Sequence, residues 1–396
     1  MERRSFLKTS ALVSASLMVP EFVKASTKSF LREQSKGRRL IVIQLSGGND
    51  GLNTLVPFRN DDYYNLRPQI GLQKGELHLI SDDLGLNPGL LSLKELFDKG
   101  WVTLLNGVGY PNPNRSHFRS TDIWNSGTGS DEFVNTGWIG RYLDNECTGF
   151  LPHNAVDLDN GLTLALKGEK NSGLSVSDPQ KLAEAVRHPY VAMNSGQSHD
   201  NDHPQLAYLN KTLVDVVSSA EYVEDHMRVQ KTREEYPYTT IGQKMKTIGQ
   251  LINSGSQTQI FYASLSGFDT HANQQGTHER LLGNWADAVQ ALLNDLDQTG
   301  NLEDTLVMTF SEFGRRAKQN AAKGTDHGTA NNLFLMGGSL ANPGVYNEIP
   351  SLSDLDSGDL KYSIDFRDIY ASILSDWFQA DHSKILSGKR KLLTLV

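Results

Sequence analysis

Short apolar runs rich in β-branched residues alternate with longer segments of helical periodicity along most of the chain. The runs lie at 39–45, 101–108, 162–166, 259–265, 304–310 and 332–336. Because they are nearly continuous in apolar residues, they are typical of strands buried on both faces of a sheet. Between them, 277–299 repeats its apolar residues every ~3.6 positions and predicts an amphipathic helix, and 365–378 has the same spacing.

This alternation predicts an α/β fold, with a mostly parallel central sheet and helices on both faces. We expect one domain over 39–396, preceded by a polar linker at 26–38. The segment at about 167–240 is polar, helical in parts and poor in strand signals, which indicates a helical insertion that caps the sheet domain.

Residues 1–25 are typical of a targeting signal. They have a basic start, a short apolar stretch at 9–19, and small residues where a signal peptidase cuts. The string Arg3-Arg4-Ser5-Phe6-Leu7-Lys8 resembles a twin-arginine signal. We therefore expect passage through the twin-arginine machinery to the periplasm or outside, without stable membrane insertion, since about 20 apolar residues are needed to span a bilayer. An amphipathic N-terminal helix is the alternative.

Composition removes several classes of protein. The net charge is −8, from 38 basic and 46 acidic residues, and no long basic run occurs, so no nucleic-acid partner is expected. The one cysteine, Cys147, excludes an internal disulfide and a cysteine-rich metal site. No GxSxG, GxxxxGK[ST], HExxH or GxGxxG string follows a predicted strand, which argues against esterases, P-loop NTPases, zincins and nucleotide-dependent dehydrogenases of the usual kinds.

Acidic residues and histidines follow the carboxyl ends of the predicted strands, or directly precede the last one. In open parallel sheets this edge is where ligands bind. Each residue alone could be a helix cap or an ion-pair partner, but together they indicate a shared site for zinc, manganese, magnesium or calcium. The candidate ligands are Asp50, Asp269, His271, Glu312, Asp326 and His327.

A further candidate segment follows the run at 101–108. Its Pro and Asn cluster predicts a loop, with a helix beginning near Asn114 or Arg115. Ser116 would then lie at a helix N-terminus, either as a nucleophile activated by a metal or simply as a cap. Arg115 and Arg119 could hold the oxygens of a phosphate or sulfate.

Taken together, these motifs resemble the bacterial family of exported proteins known as domain of unknown function 1501. Besides the N-terminal signal, the matching strings are LSGGNDGLN at 45–53, RSHF at 115–118, GWIGRYL at 137–143, GFDTH at 267–271, SEFGR at 311–315 and DHG at 326–328. That family is similar to a distant branch of the alkaline phosphatase and sulfatase superfamily. The resemblance implies a metal-bound site, usually with two cations, at the carboxyl edge of the sheet.

Residue by residue, the resemblance implies that Asp50 is the first acidic ligand and Ser116 the nucleophile. It also implies ligand roles for Asp269, His271 and His327. Ser311-Glu312-Phe313-Gly314 matches a Ser-Asp-His-Gly motif, with Phe313 at the position of a histidine ligand. This replacement implies a single ion, a second ion held by His117 or Asp326, or loss of catalysis.

The sequence therefore predicts an exported hydrolase of phosphate or sulfate esters, acting on a small molecule or a glycan with one or two divalent ions. We expect Ser116, His117 and Arg115 to be catalytic, and Arg119, Asn49 and Arg315 to bind substrate. The alternative is a non-catalytic exported protein that binds a sugar or a lipid head group, or serves in assembly, through the same cleft.

Overall fold

A computed structural model describes residues 37–147, 149–188, 204–229 and 232–396, with side chains omitted at 204–211 and 229. The predicted signal at 1–25 and almost all of the linker at 26–38 lie outside these residues. Within them, no helix is both long and apolar enough to cross a membrane.

Twelve strands and ten α-helices make up the described part of the chain. The strands are β1 (Arg39–Ser46), β2 (Leu55–Pro57), β3 (His78–Leu79), β4 (Leu84–Leu86), β5 (Val102–Gly109), β6 (Ala155–Asp157), β7 (Leu174–Ser175), β8 (Ile260–Ser266), β9 (Thr305–Phe310), β10 (Asn331–Met336), β11 (Gly344–Val345) and β12 (Ile364–Asp365). The helices are α1 (Gly51–Thr54), α2 (Asp61–Leu66), α3 (Leu91–Asp98), α4 (His117–Ser126), α5 (Trp138–Glu146), α6 (Pro179–Val186), α7 (Pro204–Val229), α8 (Thr240–Asn253), α9 (Gln274–Gln298) and α10 (Phe366–Ser372).

Nine of the strands form one sheet in the order β11-β5-β10-β9-β1-β8-β6-β7, with β12 also paired to β5. Neighbouring strands are parallel except at β10, which is antiparallel to both β5 and β9. The carboxyl ends of β1, β5, β8 and β9 therefore share one edge with the amino end of β10. The prediction of a mostly parallel central sheet is confirmed.

Helices cover both faces of this sheet because alternate residues of β1 enter two different cores. Ile41 and Ile43 pack in the cluster that contains Trp285 of α9. Leu40 and Val42 pack in the cluster that contains Trp124 of α4, together with residues of α5 and α10. A strand with both faces buried needs the continuous apolar run seen in the sequence.

The predicted strand at 162–166 is wrong. Leu164–Leu166 forms a 3-10 turn, and the strand that enters the sheet in this region is β6, which has only three residues. The apolar side chains Ala165 and Leu166 are nevertheless buried, in the same core as α5. A short apolar run indicates burial, and burial alone does not distinguish a strand from a turn packed under a helix.

The other long elements agree with the predicted pattern. The helix predicted at 277–299 is α9, and the helix predicted at 365–378 is α10 followed by a π-helical turn at Ile373–Trp377. The described part of 167–240 contains α6 and α7, which pack on each other, and α7 also contacts α8. That this segment caps the functional site stays a prediction.

Candidate metal centre

Three histidines converge on the carboxylate of Asp269 beyond the carboxyl edge of the sheet. The Oδ1 atom of Asp269 is 3.1 Å from Nε2 of His327 and 3.0 Å from Nε2 of His271. Its Oδ2 atom is 3.5 Å from Nε2 of His117. One ligand atom each from His117, Asp269 and His327 all lie within 4.8 Å of one another, as a metal-binding set requires.

The far nitrogen of each imidazole is held by an acceptor. Nδ1 of His117 lies 2.8 Å from Oε1 of Glu312, Nδ1 of His327 lies 2.9 Å from the carbonyl oxygen of Arg115, and Nδ1 of His271 lies 3.3 Å from a carboxylate oxygen of Asp326. Carboxylate and carbonyl oxygens only accept, so each Nδ1 carries the hydrogen. In a neutral ring, the lone pair is then on the Nε2 that faces Asp269.

This arrangement leaves electron-rich atoms facing one another. The two Nε2 atoms of His271 and His327 are 3.1 Å apart. Nε2 of His117 is buried and makes no hydrogen bond within the part of the chain that the structure describes. Lone pairs and a carboxylate that converge without donors between them repel, and a divalent cation is the group that removes the repulsion. The donor set therefore fits a metal ion.

The charges around Asp269 keep it ionised. Its partial burial acts to raise the pKa, but the hydrogen bond and the positive charge of Arg315 outweigh this and lower the pKa of Asp269 to about 2. The hydrogen bond to Glu312, which outweighs the effect of burial, raises the pKa of His117 above its usual value. An anionic oxygen among imidazole nitrogens is a suitable donor set for zinc.

Loop geometry positions Asp269 directly beside the turn after β1. Gly47 has a φ of +119°, and a Cβ atom there would lie 2.4 Å from the backbone nitrogen of Asp269. Only glycine allows this approach. His327 is placed by an antiparallel bridge to Arg315, and His117 is the first residue of α4.

Phe313 forms the buried wall of the cluster. Its ring centroid is 4.8 Å from that of His117 and 4.9 Å from that of His327. A phenyl ring has no ligand atom, so the position that the family resemblance assigns to a histidine serves here to pack the two imidazoles.

Glu312 and Asp326 were both predicted as ligands. They contact the Nδ1 atoms of His117 and His271, on the side of each imidazole away from Asp269. Glu312 is buried and accepts a hydrogen bond from the backbone nitrogen of Gly47 at 2.8 Å, in addition to its contact with His117. Asp326 accepts from the Asn320 amide, and this hydrogen bond lowers the pKa of Asp326. Such carboxylates orient metal-binding imidazoles and fix their tautomer.

Asp50 lies in a separate buried network. Its Oδ2 atom accepts hydrogen bonds from Arg67 and from Gln274, each at 2.6 Å, and its Oδ1 atom caps α1 through the backbone nitrogen of Asn53. Burial acts to raise the pKa of Asp50, but the charge and hydrogen bond of Arg67 hold it below its ordinary value. The structure does not bring Asp50 into the histidine cluster.

Asn49 belongs to the same network as Asp50. Its Oδ1 atom is 2.9 Å from Nε2 of His278, and its amide nitrogen donates to the hydroxyl of Thr54. Burial lowers the pKa of His278 to about 4, so the ring is neutral and donates to Asn49. Asn49 is buried, which leaves it no accessible surface for the substrate contact predicted from the sequence.

Ser116 is exposed beside the cluster and precedes α4 without a side-chain cap bond. The residues on both sides of it touch the cluster: the Arg115 carbonyl oxygen through His327, and His117 directly. The side chain of Arg115 pairs with the buried Asp359. Ser116 is thus an exposed residue whose two chain neighbours both contact the cluster.

The two other predicted substrate ligands, Arg119 at the surface and Arg315 in the interior, are both bound to groups of the protein. Arg119 donates to the carbonyl oxygens of Ser130 and Glu132 and lies 3.8 Å from the ring centroid of Phe133. Arg315 is buried and donates to backbone carbonyls and to Asp269. In this conformation neither guanidinium is directed at an open site.

Sequence reasoning missed the residues that support Asp50 and Asn49. These are Arg67, Gln274 and His278. Gln274 and His278 are one helical turn apart at the start of α9, and a polar pair at that spacing in an otherwise apolar helix face is a usable signal. Arg67 follows no recognisable motif.

Comparison with known proteins agrees with the family suggested by the motifs. A family model described as "Protein of unknown function (DUF1501)" matches residues 104–390. No curated protein matches the sequence.

Among solved structures, the chain is similar to the lipoteichoic acid synthase LtaP from Listeria monocytogenes, with a TM-score of 0.40, 9% identity, and coverage of 89% of this chain and 74% of that one. It is also similar to the PsFucS1 sulfatase from Pseudoalteromonas sp., with a TM-score of 0.34, 14% identity, and coverage of 89% and 70%. For a protein in the alkaline phosphatase superfamily from Vibrio parahaemolyticus, the TM-score is 0.36, the identity 9%, and the coverage 86% and 66%. These names describe the other proteins.

Proposed function

The chain belongs to the DUF1501 family of proteins of unknown function, and we propose that it is a metal-dependent hydrolase of phosphate or sulfate esters. One observation carries the proposal. Three imidazoles with their Nδ1 atoms committed to acceptors direct their Nε2 atoms at the carboxylate of Asp269. Such a set, open to solvent at Asp269, is typical of a catalytic rather than a closed structural metal site.

His117, Asp269 and His327 would hold the ion, and we propose one ion per chain. A bound divalent ion would neutralise the charge that develops on a transferring phosphoryl or sulfuryl group. His271 is close to both Asp269 and His327 but is not part of the mutually close set. In the neighbouring network, Asp50 is already neutralised by Arg67.

Ser116 is the nucleophile of the proposed reaction. Its oxygen forms a bond to phosphorus or sulfur while the bond to the ester oxygen breaks, and the alcohol leaves with a proton taken from solvent. The serine proton passes to solvent, and water then displaces the serine oxygen to release phosphate or sulfate. The first turn of α4, a helix of 10 residues, offers free N–H groups to the anionic ester oxygens.

Metal content and ester hydrolysis test the proposal. The purified chain should bind close to one zinc or manganese ion, and Asp269→Asn should weaken binding by about 100-fold or more, since an anionic ligand is lost. Asp122→Asn, at an exposed carboxylate on α4, is the matched control and should bind as the parent does. A parent chain that takes up no divalent ion contradicts the proposal.

The catalytic part of the proposal is tested with p-nitrophenyl phosphate and p-nitrophenyl sulfate. Ser116→Ala should abolish turnover while leaving the metal content unchanged. Equal activity in Ser116→Ala would remove the serine from the mechanism. Metal binding without turnover of either ester favours the alternative function, a non-catalytic protein that binds a sugar or lipid head group through the same cleft.

Export is a further part of the proposal, and it rests on the sequence of residues 1–25. A reporter fused behind these residues should reach the periplasm only when Arg3 and Arg4 are intact. Transport of an Arg3→Lys/Arg4→Lys variant at the parent's rate would contradict a twin-arginine route.

A further inference from the structure

One buried guanidinium joins three of the loops that build the metal centre. Arg315, which follows β9, donates from Nε to the carbonyl oxygen of Gly48 at 2.7 Å. Its Nη1 atom donates to the carbonyl oxygen of Thr325 at 2.8 Å, and its Nη2 atom to that of Phe268 at 2.9 Å. These acceptors belong to the turns after β1 and β8 and to the segment that carries His327.

The same guanidinium also holds the carboxylate of the centre. Nη2 of Arg315 is 2.7 Å from Oδ1 of Asp269. The Arg315 side chain has no exposed surface, whereas that of Asp269 is 48% exposed. The guanidinium of Arg315 is therefore fixed by the surrounding protein, and it in turn holds the exposed carboxylate of Asp269. With Oδ1 bound in this way, Oδ2 is the oxygen that faces His117.

We infer that Arg315 is a positioning residue for the metal ligand Asp269, an inference that rests on the proposed function. It sets the rotation of the carboxylate among the imidazoles, while its other donors fix the backbone of the loops at the site. The planar fork of donors is suited to this task because a carbonyl and a carboxylate can be bound at fixed angles together.

This role replaces the substrate contact that the sequence predicts for Arg315. A substrate anion would have to displace the backbone carbonyls that Arg315 binds. The arginine is also fully buried, and Asp269 is the exposed partner of the pair. Lysine keeps the positive charge but has one nitrogen, so it cannot reach the carbonyls of two loops and the carboxylate at once.

Metal affinity in Arg315→Lys measures the role of Arg315. Zinc affinity, read by competition with a chromophoric chelator, should fall by about 10–100-fold, the usual effect of losing an outer-sphere partner of a metal ligand. Arg316→Lys is the matched control, because Arg316 is partly exposed and donates to the carbonyl oxygen of Ser357. It should change the affinity by no more than about twofold.

A double-mutant cycle separates positioning of Asp269 from general support of the loops. If Arg315 acts through Asp269, then Arg315→Lys should cause little further loss of affinity once Asp269→Asn is present. Equal losses of affinity in the two backgrounds would show that Arg315 only supports the loops, and would overturn the inference. An unchanged affinity in Arg315→Lys alone would overturn it as well.

A readout that needs no metal keeps this inference distinct from the proposed function. In metal-free protein, the imidazole ¹⁵N shifts of His271 and His327 report their contact with Asp269, and Arg315→Lys should change them. If the parent binds no metal, the proposed function fails, and these shifts still decide the role of Arg315: unchanged values overturn it.

The remaining risk is that Arg315→Lys does not fold, which circular dichroism would show. The contact is then read in the folded parent from the ¹⁵N–¹H resonances of the Arg315 guanidinium. Asp269→Asn should shift the Nη2 resonance, and an unshifted resonance would overturn the inference.

Discussion

Asp50→Asn distinguishes a structural carboxylate from a metal ligand. Asn is almost the same size and is equally good as an N-cap for α1, so the hydrogen bond to the backbone of Asn53 can be kept. The change removes the negative charge that faces Arg67, and it places an amide donor where Oδ2 accepts from Arg67 and Gln274. The two side chains are 1% and 0% exposed, so the guanidinium would be left as a buried charge without a counter-ion.

Removing one partner of a buried ion pair costs about 3–5 kcal/mol of folding free energy. For 396 residues, with an unfolding entropy of about 2.1 cal/mol/K per residue, this corresponds to a fall in Tm of about 4–6 °C. Calorimetry or chemical denaturation of the metal-free protein measures the loss. Zinc affinity should stay within about twofold of the parent, because Asp50 is outside the histidine cluster.

Two comparisons make the result interpretable. Asp82→Asn, at an exposed carboxylate, should leave stability unchanged to within about 0.5 kcal/mol. The double variant Asp50→Leu/Arg67→Met should recover much of the lost stability, since apolar groups can replace a buried pair. Loss of zinc binding in Asp50→Asn at unchanged stability would refute this reasoning and make Asp50 a ligand, as the sequence predicts.

Three other perturbations have defined outcomes. Zinc at about 1,000 times its Kd should stabilise the folded chain by about 4 kcal/mol in calorimetry, and EDTA should remove this stabilisation. An equal Tm with and without zinc would contradict the proposal that the cluster binds a metal ion. Burial lowers the pKa of His153 from 6.5 to about 4, so the folded state resists its protonation, and stability should fall as the pH decreases through this interval. The full effect on the free energy of unfolding is about 3 kcal/mol. Between pH 7 and pH 4.5, the free energy of unfolding measured with urea should change less for His153→Gln than for the parent. The same change in both proteins would show that His153 is not the source of the pH dependence. Gly48→Ala should lose about 1–3 kcal/mol of folding free energy in urea denaturation, because φ is +77° and the new Cβ would lie 2.5 Å from the ring of Phe313. Gly75→Ala, where a Cβ would meet open space, should leave the stability nearly unchanged. Equal stabilities of the two variants would contradict the strain argument.

Local sequence was sufficient for the long elements. The apolar runs that became β1, β5, β8, β9 and β10 are buried on both faces, and burial is the property that the pattern reports. The direction of β10 could not be predicted, because a buried antiparallel strand and a buried parallel strand have the same composition. β6 was missed since three residues are too few to show a period.

At the candidate site, the structure brings together Asp269, His271 and His327 but not Asp50. Asp269, His271 and His327 were predicted because they flank strands, and strand ends meet at one edge of the sheet. His117 was predicted as catalytic and, alternatively, as a ligand of a second ion, and the structure directs its Nε2 into the cluster. The partner of Asp50 is Arg67, 17 residues further along the chain, and no local pattern reports a pairing of that kind.

The residues of the proposed metal centre are far apart along the chain, and this spacing would determine when an ion can enter. His327 lies 58 residues after Asp269, and His117 lies 195 residues before Glu312, its hydrogen-bond partner. Gathering such distant groups in an unfolded polypeptide carries a loop-closure entropy cost, unlike short finger-type motifs whose ligands are close neighbours. If the cluster binds an ion as proposed, occupancy would therefore follow completion of the tertiary structure, and a cell would load this protein only after the chain has folded.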